Sequence, residues 1–325
     1  MSMISRSRRA IKKIVFGDTL LTQEFTFGFV GQQAEISVWL HGMGAPRDVT
    51  NRHSIACAGP FVLCVAFDEG QIPSEKELKN LSLKFCERNG QRRVLGEIGL
   101  IPVTDISPIS QELFFFQARS AANYCLPMLR LWCHYLHQAY SQWGQVNTSG
   151  MKLSFLDQRA MFVSFIRPHP ISLVSVDDAV GGNIFPMNLM GELGNNRFAF
   201  GLRDQRMASH LVERTGRIAL SSVSLERAGV VYKLAVNHSK QSIEWDQLPF
   251  ATRPSSAFHI PVPAFALRVR EMEIESVRKI GSHTFFVARI ICEEILAEDE
   301  ELHTVHGFYQ AWRLKAKRRA ESFAR

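Results

Sequence analysis

After residue 150 the chain breaks into short β-rich runs, near 161–165, 171–176, 198–202, 217–223, 264–274 and 284–291, with DDAVGGN, ELGNN and RPSS among the turn sequences between them. Many short strands at this spacing predict a closed barrel, since closure leaves no long strand edge unpaired. One short helix around 208–214, placed to end at Gly216, interrupts the strands, and a last helix over 305–320 closes the chain.

The first half has a different texture. Residues 25–40 read as two strands around a Gly31-Gln32-Gln33 turn, and 74–89 carries Leu78, Leu81, Leu83 and Phe85 in what reads as a helical rhythm. Residues 110–143 read as a helical region in which Pro127 either kinks the helix or starts a second one. The polar stretch GQVNTSGMK at 144–152 separates the two textures. The expected fold class is α+β: a mixed α and β domain of unassigned fold at 1–150, then a barrel domain at 151–325, two domains being what 325 residues ordinarily hold. The sequence shows no fixed-period repeat and no low-complexity tract.

Charge bears on partners rather than on fold. The formal net charge of +7 sits at the ends: five basic residues in Met1 to Lys13, and six in Trp312 to Arg325 against Glu321, leave the middle at −3. Terminal charge runs of this kind read as solvated flanks, and no aromatic-basic interleaving accompanies them, so neither nucleic acid nor a membrane is an expected partner. SRRAIKK at 7–13 is followed by only Ile14, Val15 and Phe16 before Gly17-Asp18, too little for an export signal, and 113–136 holds too many polar groups to span a bilayer. Six cysteines without a CxxC pair fit reduced thiols in a cytoplasm.

The common catalytic signatures are missing. GMGAPR at 42–47 has Arg47 where a dinucleotide fingerprint needs its third glycine, and the phosphate-loop, nucleophile-elbow and HExxH motifs are absent. His134 and His137, beside Cys133, lack the accompanying ligands of a metal centre, and no metal is expected.

Three segments carry a recognisable order. RPHPISLVSVDDAVGGNIFPMNL at 167–189 joins a proline-flanked strand to an acidic-glycine turn, Asn183, and a return run through Pro186 and Asn188. FAFGLRDQRMASHLVERTGRIALSSV at 198–223 reads strand, polar loop, short helix, glycine, strand, and GSHTFFVARI at 281–290 sets one histidine at the mouth of an apolar strand. Together they resemble the flavin reductase-like, FMN-binding split-barrel family, whose members pair a D-x-x-G-x-N-like turn with a later G-D-H-T-x-F-x-x-x-V-like strand. The resemblance covers about residues 155–296, and it departs from the family at Ser282, where an aspartate is usual.

The resemblance implies a flavin-contacting segment of Asn183, Pro186, Met187 and Asn188, with Arg203 and Ser209 holding the FMN phosphate. It implies that His283 borders the nicotinamide, and that Lys233, Asn237 and His238 lie on the substrate rim. Read without it, Pro186 to Leu189 is a turn beside a strand, Arg203 a surface arginine, Ser209 a helix cap and His283 a strand-end histidine. The implied activity is that of an FMN-dependent, NADH- or NADPH-oxidising flavin reductase, cytoplasmic and homodimeric, that serves a partner oxygenase or another acceptor. Hydride transfer between stacked rings needs positioning more than a strong acid or base, which fits the absence of a nucleophile motif. The alternative is a flavin-binding electron-transfer or sensor module that does not turn over nicotinamide and whose first half binds a partner. On either reading, residues 151–325 are expected to hold flavin without the first half.

Overall fold

The computed structural model describes residues 24–30, 35–88, 92–105, 112–143 and 153–316. The basic segment before residue 14, the turn at 31–33, the linker at 144–152 and the chain beyond 316 lie outside the described residues.

The first half is strand-rich. After β1 (Glu24–Phe29) come β2 (Ile36–His41), β3 (Arg47–Asp48), β4 (His53–Ala58), β5 (Phe61–Ala66), β6 (Ser82–Glu87), β7 (Val94–Pro102) and β8 (Leu113–Asn123). The last seven form one antiparallel sheet in the order β3-β2-β6-β7-β8-β5-β4. Helix α1 (Glu75–Leu78) precedes β6, and α2 (Met128–Trp143) and α3 (Phe155–Ser164) follow β8.

The second half repeats the design with additions. Its strands are β9 (His169–Pro170), β10 (Ser172–Val176), β11 (Asn183–Met187), β12 (Met190–Gly194), β13 (Arg197–Arg203), β14 (Arg217–Ser222), β15 (Thr252–Pro254), β16 (Pro261–Pro263), β17 (Arg268–Ile280), β18 (His283–Ile295) and β19 (Glu301–His306). Its helices are α4 (Met207–Thr215), α5 (Ala228–Lys233) and α6 (Gly307–Lys315). Seven strands make a second antiparallel sheet, in the order β11-β10-β14-β17-β18-β13-β12. All seven, with α4, contribute side chains to one buried cluster that includes Val174, Phe185, Met190, Phe200, Leu220 and Phe286, so the sheet curls around a single core. Its end strands β11 and β12 are not paired to each other, which makes the barrel split rather than closed.

Three expectations are corrected, each with a local cause. Residues 74–89 are not one helix: the capping box of Ser74 and Glu77 starts α1, which stops at Leu78. Leu81, Leu83 and Phe85 are then buried at a period of two, the signature of β6 and its approach rather than of a helix. Within 110–143, the aromatic run of β8 is a strand, and the helix begins only after Pro127. Residues 161–165, expected as a strand, belong to α3 and its C-cap; the helix is opened by a capping box of Ser154 and Asp157.

The two sheets lie face to face, β4 against β12, β13 and β18. Strand β5 shows why its sequence FVLCVA has no polar residue. Phe61, Leu63 and Val65 point into the core of the first half, while Val62, Cys64 and Ala66 point into a second cluster shared with Ala199, Phe285 and Val287 of the other sheet. Small residues bring the backbones close: a side chain added at Gly191 would meet the His53 carbonyl oxygen at 2.5 Å.

Packing also crosses residue 150 in the other direction. Helix α3, and Val305, Phe308, Tyr309 and Trp312 from β19 and α6, complete the core of the first half. Tyr309 Oη donates to the Glu35 carboxylate, Arg313 Nη2 binds the same carboxylate at 2.9 Å, and the Arg313 guanidinium lies 4.8 Å from the Phe27 ring centre. With so much apolar surface shared, residues 151–325 expressed alone are expected, contrary to the expectation from sequence of a self-sufficient second half, to show no cooperative thermal transition. A sharp melt of that fragment would show that the second half folds independently.

Candidate functional site

At one end of the interface between the sheets opens a cleft of about 640 Å³, within the range of small-molecule and cofactor sites. The turn from β11 to β12 forms one wall with Pro186, Met187, Asn188 and Leu189, and the end of β13 adds Leu202 and Arg203. His283, at the start of β18, stands opposite Arg203 in the strand register. The first half supplies Ala58, and α3 and its C-cap supply Met161 and Phe165.

The cleft has a mixed lining, with Met161, Phe165, Met187 and Leu202 beside Asn188, His238 and the carboxylate of Glu24, and two of its lining residues are arginines. Arg203 and Arg206 both line it, and Arg206 is the N-cap residue of α4, where backbone N–H groups and the helix dipole also favour an anion. Arg206 Nη1 is held at 2.6 Å by Ser239 Oγ. His238 also faces the cleft; its Nε2–H donates to the Pro186 carbonyl at 2.8 Å, which fixes both the ring and the turn. Burial, then the nearby Arg206 and Arg203, lower the His238 pKa.

His283 is buried, with its pKa lowered to about 4 by desolvation first and the Arg203 charge second. The ring is therefore neutral at physiological pH. Ser282 Oγ donates to the Gly59 carbonyl at 2.9 Å and lies 3.0 Å from His283 Nδ1. With its one proton directed at Gly59, the hydroxyl accepts from Nδ1–H, and Nε2 is left as the acceptor. Cys57 Sγ, also 3.4 Å from Nδ1, completes the support. Ser282 thus orients the imidazole through a hairpin of the first half.

The structure divides the sequence-derived site residues. Pro186, Met187, Asn188, Arg203 and His283 come together around the cleft. Asn183 and Ser209 do not line it. Asn183 is fully buried, its Nδ2 donating to the carbonyls of Asn237 at 3.0 Å and Lys240 at 2.8 Å, so it braces the segment that carries His238. Ser209 lies in the first turn of α4, buried, its backbone N–H spent on the Arg206 carbonyl at 3.1 Å. Of the three rim residues, His238 lines the cleft, whereas Asn237 is buried and donates to the Ile184 carbonyl at 2.9 Å. Lys233 is not among the lining residues. Arg206 was legible in principle, as a second arginine three residues on in the loop before a helix. No sequence signal joins Cys57, Ala58 and Gly59 to His283.

Fold and cleft together define a split-barrel protein whose cleft, between the two sheets, combines apolar side chains with two arginines and a buried histidine. The chain is similar to the NADH:FAD oxidoreductase SgcE6 of Streptomyces globisporus, at 15% identity and a TM-score of 0.41, over 52% of this chain and 91% of that one. It is similar to an FMN-binding protein of Thermus thermophilus at 21% identity and a TM-score of 0.36, over 39% of this chain and 71% of that one. It is also similar to BorF, the flavin reductase component of a bacterial two-component tryptophan halogenase, at 14% identity and a TM-score of 0.41, over 46% of this chain and 94% of that one. No protein-family model and no curated protein matches the chain. Among the described residues, no helix is long and apolar enough to cross a membrane.

Proposed function

We propose that the cleft binds FMN and that the protein is an NAD(P)H-dependent flavin reductase. The observation that carries this reading is a cofactor-sized cleft in which the apolar side chains of Met187, Leu202, Met161 and Phe165 stand together with Arg203, Arg206 and a neutral His283. Such a donor set fits an FMN: a flat apolar ring system suits Pro186, Met187 and Leu202, and a phosphate suits two guanidiniums at a helix N-terminus. The chemistry supplied by bound FMN is the acceptance of a hydride from NADH or NADPH.

The residues of the chain bind and orient. Leu202, Met161 and Phe165 exclude water from the slot, and the Pro186 turn is held by His238. A neutral His283, braced by Ser282, offers an uncharged acceptor to the donor nucleotide and gives up no proton in the transfer. FMN is favoured over FAD because Arg203 and Arg206 suit a terminal phosphate. The physiological acceptor, such as a partner oxygenase, takes electrons after this step.

The test is spectroscopic. Purified protein titrated with FMN should show perturbed flavin absorbance at one equivalent, and bleaching on addition of NADH or NADPH under anaerobic conditions. Bound FMN that neither nucleotide reduces would favour the electron-transfer or sensor reading instead. His283→Ala should slow single-turnover flavin reduction or raise the KM for NADH at least about tenfold, as loss of a positioning contact does, with FMN affinity within about threefold of wild type. Normal reduction kinetics with a lowered Tm would make His283 a structural residue only.

A further inference from the structure

Numbered from its own first strand, each seven-stranded sheet has the same order, second-first-fifth-sixth-seventh-fourth-third: β3-β2-β6-β7-β8-β5-β4 in one half and β11-β10-β14-β17-β18-β13-β12 in the other. The helix between the fourth and fifth strands recurs too, as α1 and as α4. The halves also meet through corresponding strands. The third strand of one lies on the third of the other, β4 on β12, and the third-to-fourth contact occurs both ways, β4 with β13 and β12 with β5. Phe115 and Phe285, each third in its seventh strand, touch edge to face at 5.5 Å, as residues beside a twofold axis do. Aligned at the starts of those strands, LFFFQARS and HTFFVARI share two phenylalanines, an alanine and an arginine at the same four positions.

Among the described residues, the cleft lies in the second copy and the matching place in the first is filled. Arg203 pairs with His283 in the second half, and the matching pair in the first half is Ala66 with Leu113, both buried. The neighbouring Phe67 is packed on Phe114 at 5.4 Å where the other copy has the loop leading to Arg206. Helix α1 has four residues against nine in α4, and β11, five residues long, is matched by a two-residue β3. The segment between the fifth and sixth strands, which brings His238 and Ser239 to the cleft, has its counterpart in the short link from β6 to β7.

We propose that the first half is a second copy of the split barrel that has lost its own cofactor site and stands permanently where a partner subunit would. The chain then completes a single flavin cleft in cis, with Ala58 on its wall and the Gly59 carbonyl and Cys57 behind His283, and needs no second chain. The cofactor part of this proposal rests on the flavin reading; the assembly part does not. A homodimer, the arrangement the family resemblance implies, is replaced by an internal pair.

Two measurements on the full chain test it. Native mass spectrometry with added FMN should give a 36.8 kDa monomer carrying one FMN. Two FMN per chain would overturn the loss of the second site, and a dimer that persists at nanomolar concentration would overturn the internal pairing. In the second measurement, Arg203→Glu and Ala58→Trp chains, each checked for a wild-type-like Tm, are co-expressed. Cis completion predicts no recovery of FMN binding over either variant alone, whereas recovery to a quarter or more of the wild-type level would mean that chains share sites and would sink the proposal. If the wild-type monomer binds no FMN at all, the functional reading fails while the mass still decides the assembly.

Discussion

Arg203→Ala is expected to weaken FMN binding by about 1.5 to 3 kcal/mol, or roughly 10- to 150-fold, the usual size of a lost charge-assisted contact. The expectation follows from position: Arg203 ends β13 at the cleft, next to the N-terminus of α4, and among the described residues no carboxylate forms an ion pair with its guanidinium. Arg206→Ala should add a further loss, smaller because Ser239 already shares that side chain. The effect should shrink in high salt, as phosphate contacts do. Arg214→Ala, at the far end of α4 and tied to Asp178 at 2.8 Å, serves as the control and should leave affinity unchanged. Isothermal titration with FMN and with riboflavin decides the matter. Riboflavin should bind weakly and equally to wild type and Arg203→Ala, and an equal loss for both ligands would move Arg203 from the phosphate to the ring.

A steep acid transition is the second large effect expected. His53, His169 and His306 have pKa values lowered to about 3, and His303 to about 4, in each case chiefly by burial. A histidine depressed in the native state stabilises the fold above its unfolded pKa of about 6.5 and loses that contribution as pH falls toward the native value. Between those limits each ring costs about 1.4 kcal/mol per pH unit, so the four together reach about 5 kcal/mol per unit near pH 5. That rivals the whole stability of an ordinary domain, about 5 to 15 kcal/mol. His306 shows the structural reason: its Nδ1 accepts from Phe308 N–H at 3.2 Å as the N-cap of α6, which a protonated Nδ1 cannot do. His53 and His169 also feel the buried Arg167. Thermal melts from pH 7.5 to about pH 4.5 should therefore show a collapse in Tm below about pH 6. His306→Asn, which keeps a capping acceptor, should flatten the profile. A stability independent of pH over that range would show that these rings titrate normally.

How far the sequence could be read differs between the halves for physical reasons. In the second half, the turn signals were local: Gly216 caps α4 at a φ of 62°, and Gly281 turns the β17–β18 hairpin at a φ of 55°. The strands β10, β13, β14 and β18 lay where turn residues bounded them. In the first half the aromatic and leucine runs of β6 and β8 satisfied a loose helical rhythm as well as a period of two. Only burial separates those readings, and burial depends on the opposing sheet. The site followed the same division. Pro186 to Asn188, Arg203 and His283 sit at strand ends that the motif marks, whereas Ala58 reaches the cleft, and Cys57 and Gly59 reach the back of His283 and Ser282, by tertiary packing across more than 220 residues of chain, from Gly59 to Ser282. The repeat is not legible in the sequence because the two copies share strand order, while matching residues are few, most visibly the four in the seventh strands.

The clasp between Glu35 and the terminal helix α6 bears on how the chain is made. Phe27, Val38 and Leu83 need Phe308, Tyr309 and Trp312 to close the core they share, and Glu35 receives Tyr309 and Arg313 from the last two described turns of helix. On a ribosome, which adds roughly 5 to 20 residues per second and delivers the N-terminal end first, that half would wait many seconds with its apolar face uncovered. It cannot finish folding before the C-terminal helix leaves the exit tunnel. Synthesis of this protein should therefore depend on chaperones that shield nascent apolar strands, and a nascent chain stalled before residue 300 should be protease-sensitive throughout.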